Sequence, residues 1–114
     1  MADPTIDAAT FAELQATAGA DFVRELIDTF LDEAPGMFGE LRAAHAAQNA
    51  ERFRRAAHSL KSNGKTFGAL DFAQAARALE LGGLPGVNDV AGIDALHAQF
   101  ERVAAALKAL RDER

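Results

Sequence analysis

Ile93, Leu96, Phe100, Val103, Leu107 and Leu110 follow one another at steps of 3, 4, 3, 4 and 3 residues. That spacing gathers all six on one side of an α-helix, which turns once in about 3.6 residues. A helix that is apolar on one face has to bury that face against another element. The same alternation runs through Val23, Ile27, Phe30, Ala34, Met37, Leu41 and Ala44. Pro35 falls inside this second stripe and removes one backbone donor, but the period stays in phase beyond it. One long kinked helix is therefore expected rather than two.

The remaining segments read the same way. A short helix is expected from Asp7, a suitable N-cap, to Ala18, where Gly19 ends it. Asp21 can cap the long helix that follows. Gln48-Asn49 makes a short turn into a helix carrying Phe53, Ala56, Ala57, Leu60, Gly64 and Phe67 on one side, which stops near Gly68. Another helix runs from Leu70 to Leu81 and is closed by Gly82-Gly83, with Pro85 beyond. A loop over residues 83–88 leads to Asp89, which opens the last helix. Four amphipathic helices joined by short turns can cover their stripes only against each other. The expected fold is all-α, an antiparallel four-helix bundle with a short additional N-terminal helix. An intermolecular coiled coil would use similar stripes, but the turns favour an intramolecular bundle.

At 114 residues the chain is long enough for one domain with a real core. Cysteine is absent, which excludes disulfides, thiolate metal sites and cysteine nucleophiles. Met1-Ala2-Asp3-Pro4 lacks the basic and apolar regions of a secretory signal, and no apolar run approaches the roughly 20 residues of a membrane span. A cytoplasmic protein without membrane attachment is expected, most simply a monomer. The Met1 start and the complete set of caps favour a free-standing protein over an excised domain. A formal net charge of −5 argues against nucleic acid as a partner.

The charge is unevenly spread. Residues 52–67 hold five of the 12 basic residues (Arg52, Arg54, Arg55, Lys61 and Lys65) and none of the 17 acidic ones. His58 lies on the arc opposite the apolar stripe of this helix. Arg54 and Lys61 stand one turn away from it, Arg55 and Ser62 flank it, and Lys65 follows two turns on. Exposed helices are often rich in Lys and Arg, so the cations alone decide little. A titratable nucleophile on a rigid, wet surface among cations nevertheless points to phosphate chemistry.

Ala57-His58-Ser59-Leu60-Lys61-Ser62-Asn63-Gly64, followed by Gly68-Ala69, resembles the signature of the histidine-containing phosphotransfer (HPt) domains, the intermediate carriers of multistep phosphorelays. The upstream FVRELIDTFLDEAP and the downstream ARALE are similar to the family as well, so the resemblance is strong over about residues 21–83. Ser62 departs from it, since the family most often has Gly there. A small side chain is what the position needs, because a bulky one would block a partner approaching the imidazole, and Ser meets that need.

The resemblance implies that His58 is phosphorylated on Nε2 by the aspartyl phosphate of a receiver domain and passes the group to a response regulator. It implies that a residue of the next helix, here Glu80, holds the proton on Nδ1, and that Lys61 helps neutralise the phosphoryl oxygens. Lys65 and Arg55 would form an outer shell. Ser62, Gly64 and Gly68 would leave room for the partner and the adjacent turn. The implied partners are response-regulator receiver domains and a hybrid sensor histidine kinase.

No Walker-type loop, glycine-rich phosphate cradle or carboxylate cluster suited to Mg²⁺ is present, so neither ATP binding nor self-phosphorylation is expected, and no cofactor or metal is implied. Neither His45 nor His97 has a second His or a carboxylate at tight ligand spacing that makes a convincing metal set, and both read as surface or boundary residues. Most of the eight Phe residues fall on stripes and read as core. Phe11 and Leu14 are exceptions, because a short first helix has little to bury and could leave them to a partner. The competing reading is a helical adaptor that binds receiver or kinase domains without phosphotransfer. A bundle metalloprotein would need inward Glu and His residues, which the stripes lack.

Overall fold

A computed structural model describes residues 5–84 and 90–112 of the chain, and over these the molecule consists of five α-helices and no strand. They are α1 (Ala8–Ala18), α2 (Ala20–Ala46), α3 (Ala50–Phe67), α4 (Leu70–Gly82) and α5 (Ala91–Asp112). Helix α3 packs against α2 and α4, α5 packs against the same two helices, and α1 lies across α2 and α3. The four long helices thus form a ring in which α5 is diagonal to α3. None of the described helices is long and apolar enough to cross a membrane. Pro85 and Asp89, expected to terminate one helix and open the next, lie outside the described residues.

The stripes meet inside the ring. Val23, Ile27, Phe30, Ala34 and Leu41 of α2, Phe53, Ala57, Leu60 and Phe67 of α3, and Ile93, Leu96, Val103 and Leu107 of α5 are all buried. Phe30 stacks on Phe67 at a centroid distance of 5.7 Å and meets Phe100 edge-on at 5.6 Å, which ties α2, α3 and α5 together. Helix α2 is continuous through Pro35, as its unbroken period required. Beyond the proline the core takes Phe38, and Met37 is only half-buried. The larger ring wins the inward position because it reaches Phe100 and His97.

Local signals explain most of the helix ends. The Asp7 carboxylate accepts from the Thr10 backbone N–H at 3.0 Å, and the same hydroxyl-bearing residue helps hold that carboxyl below its ordinary range. The Asn49 side chain caps α3 by accepting from Arg52 N at 3.1 Å. Asp21, however, does not cap α2. That helix starts at Ala20, directly after Gly19 at φ +93°, so Asp21 already lies in its first turn and pairs with Arg24. A single glycine between α1 and α2 leaves no residue free to cap.

Two expectations about individual side chains fail. Phe11 is buried, so it is not left to a partner, while Leu14 is half-buried against the core. Although α1 is short, it crosses α2 and α3, which present enough apolar surface to cover it. His45 is buried too, with its ring tilted against Phe53 at 6.5 Å, rather than lying at the surface or boundary. His97 does stand at the boundary, stacked on Phe38 at 4.5 Å. Among the described residues, the large apolar side chains left exposed are Phe22, Leu70, Leu81 and Val90.

Candidate functional site

Helix α3 holds His58 on its outer face because Ala57 and Leu60, on either side of it, are fully buried. The His58 side chain keeps 54% of its surface in water. Its Nδ1 lies 2.7 Å from Oε2 of Glu80, in the last turn of α4. Lys61, one turn beyond His58, donates from Nζ to the other oxygen, Oε1, at 2.6 Å. One carboxylate thus bridges an imidazole and an ammonium, and it is nearly covered, with 9% of its side chain exposed.

The electrostatics of this triad follow from the geometry. The Lys61 ammonium, and after it the His58 ring, hold the Glu80 carboxyl below the ordinary carboxylate range, against an opposing push from burial. An ionised carboxylate only accepts, so the Nδ1 facing it carries the proton. In the neutral ring Nε2 then keeps its lone pair, and it has no hydrogen-bond partner among the described residues. A neutral imidazole in this tautomer is a nucleophile with a fixed outward direction.

Gly64 sets the separation between the two helices. A Cβ added there would stand 2.8 Å from Cδ2 of Phe72 and 3.4 Å from the Ala69 carbonyl oxygen and the Ala73 Cβ. Only glycine lets α4 approach close enough for Glu80 to reach His58. Gly64 therefore gives access to the neighbouring helix and not to a partner, since it is buried. Gly68 is buried as well. Its left-handed φ of +84° ends α3, and its carbonyl accepts from Asp7 N at 2.7 Å, which pins the segment leading into α1. Partner access through either glycine is ruled out; close approach of the adjacent turn at Gly68 stands.

The other expected residues are distributed around the ring. Ser62 is exposed one turn from His58, so a small group does flank the imidazole. Arg55 is exposed but lies 3.7 Å from Glu51, which also holds Arg54 at 3.2 Å. Arg52 is gripped by both oxygens of Glu40, at 2.7 and 3.0 Å. The three arginines are thus matched by acids that lie outside residues 52–67. Lys65 is exposed and forms no ion pair among the described residues. Across from it on α4 lie Gln74 and Arg77, which the sequence reading missed. Arg77 stands three residues before Glu80, and that helical spacing is the signal that could have found it. Among the described residues no three His, Asp or Glu side chains gather as a metal-binding group.

Comparison with known proteins decides the family. The model of the Hpt domain matches residues 25–113. The chain belongs to the Hpt domain family. Among solved structures, the histidine-containing phosphotransfer protein B (HptB) of Pseudomonas aeruginosa PAO1 is similar over 99% of this chain and 100% of its own. The identity is 28% and the TM-score 0.86. No curated protein sequence matches. This Hpt chain is accordingly a histidine phosphotransfer protein of phosphorelays, in which such domains interact with receiver domains and kinases. Its all-helical bundle is the Hpt fold.

Proposed function

We propose that this Hpt protein carries its phosphoryl group on Nε2 of His58, taken from an aspartyl phosphate of one receiver domain and given to another. The Nε2 lone pair attacks phosphorus, the P–O bond to the aspartyl carboxyl breaks, and the carboxylate leaves with the electron pair. The ring becomes a phospho-imidazolium whose Nδ1–H faces the Glu80 carboxylate. In the return step the N–P bond breaks and the electrons fall back on Nε2 as neutral imidazole, with Nδ1–H still in place. Glu80 thus orients the ring and stabilises the cation formed in either direction, the role an aspartate plays beside a catalytic histidine. Lys61, braced on Glu80 in the resting site, supplies positive charge beside the transferring group, where a loose transition state spreads charge over three oxygens. The acyl phosphate, and any metal ion it requires, belongs to the receiver.

The observation that carries this reading is the bridge at Glu80, which leaves Nε2 unencumbered on an exposed ring. An adaptor that only binds would have no use for such an arrangement. The donors and acceptors are response-regulator receivers and the receiver of a hybrid sensor histidine kinase. The reading includes one domain acting as a monomer in the cytoplasm, which gel filtration and cell fractionation test. Incubation with a phosphorylated receiver should move label onto the chain in an acid-labile, base-stable form, and His58→Gln should abolish it. Label that still moves to the Gln variant would refute the site.

A further inference from the structure

The neighbours of His58 line two different grooves. On one side Arg55 and Ser59 of α3 face Glu33, Met37 and Glu40 of α2. On the other, a groove of about 320 Å³ between α3 and α4 is lined by Lys61, Lys65, Leu70, Ala73, Gln74 and Arg77. The two differ in charge. The first contains acids, and its arginines are paired with carboxylates: Arg52 with Glu40, and Arg55 with Glu51. The second contains no acid among its lining residues, and Lys65 and Arg77 form no ion pair with any described residue. Lys61, already engaged by Glu80, closes the end nearest His58. Leu70, 47% exposed, lines the same groove over a floor that includes the buried Ala73.

Two unneutralised cations facing each other across a groove repel, although this protein, with a net charge of −5 overall, has acids that could have matched them. An external anion relieves that repulsion. We infer that the α3–α4 groove is the cationic half of the receiver-docking surface, in which Lys65 and Arg77 take up an acidic segment of the partner while Leu70 meets an apolar side chain. The inference rests on the proposed function and adds to it a side of approach and two residues that select the partner. The groove's charge calls for a receiver that is acidic where it meets Lys65 and Arg77. Exposed charges of this kind act through the encounter rate more than through the bound state.

The test compares transfer from a phosphorylated receiver to the wild type, to Lys65→Ala/Arg77→Ala, and to a control, Arg102→Ala/Lys108→Ala. The control loses the same charge from α5, on the side diagonal to α3. In about 0.05 M salt the groove variant should lose roughly tenfold in kcat/KM relative to the control, with the loss in KM. Screening should shrink the difference to about twofold in about 0.5 M salt. Lys65→Glu/Arg77→Glu should lose roughly a further tenfold. A groove variant no worse than the control, a loss confined to kcat, or a loss indifferent to salt would overturn the inference. Phosphoramidate, a donor that needs no docking, separates the two ideas. Wild-type chain that is labelled on His58 by phosphoramidate but by no receiver refutes the proposed function itself, and with it the occupant of the groove.

Discussion

Replacing Glu80 by Gln keeps the side-chain shape and changes the charge, which makes it the most informative single substitution. The amide oxygen can still accept from Nδ1–H of His58, but the amide nitrogen would then face the Lys61 ammonium, donor against donor. The 2.6 Å bond from Lys61 is lost, and a charge-assisted hydrogen bond of this kind contributes about 1.5–3 kcal/mol. Catalysis should suffer separately. The carboxylate lies 2.7 Å from Nδ1, which puts the charge centres about 4 Å apart once the ring is an imidazolium. At that distance the attraction ranges from about 1 kcal/mol in water to about 4 kcal/mol near a protein surface. The ring is 54% exposed, so the lower half of that range applies. A loss of about 1–2 kcal/mol corresponds to a 5- to 30-fold slower single-turnover transfer. The assay is rapid-quench transfer from a phosphorylated receiver at saturating concentration, with circular dichroism to confirm that the variant is folded. Ring-nitrogen NMR of the wild type should show Nδ1 protonated and Nε2 not. Transfer at the wild-type rate in a folded Glu80→Gln protein would refute the claim that this carboxylate stabilises the phospho-imidazolium.

Two further outcomes follow from the same geometry. Gly64→Ala would push a methyl to 2.8 Å from the buried Phe72 ring; overpacking costs about 1–3 kcal/mol, partly offset by alanine's helix propensity, so a net loss of about 1–2 kcal/mol should appear in urea unfolding, with slower transfer because α4 carries Glu80 away from His58. Wild-type stability in that variant would show that the helices are not in limiting contact. Because the folded-state Glu80 carboxyl is held below its ordinary value, the stability it contributes is complete above about pH 4.5 and is lost as pH falls further, through the folded value. Thermal midpoints measured from pH 6 to pH 3 should therefore fall more steeply for the wild type than for Glu80→Gln, and parallel curves would contradict the bridge.

The periodicity of α2, α3 and α5 was sufficient to give the bundle, because a 3-4 stripe is a property of one helix and is written in consecutive residues. It also turned His58 outward, since Ala57 and Leu60 had to face in. Asn49, Gly68 and Asp7 marked helix ends by local backbone chemistry, which is equally legible in sequence. Glu80 was reached only through family resemblance, and nothing in the spacing from His58 required the two to meet.

What the tertiary structure alone decided is the rotation and separation of each helix against its neighbours. Gly64 reads as a small residue in the chain, but its burial against Phe72 is what lets one carboxylate touch both His58 and Lys61. The same packing covers Phe11, draws His45 inside and sets Arg77 across from Lys65. These are distances between helices, fixed by which side chains interdigitate over the whole core, and a linear pattern carries no measure of them.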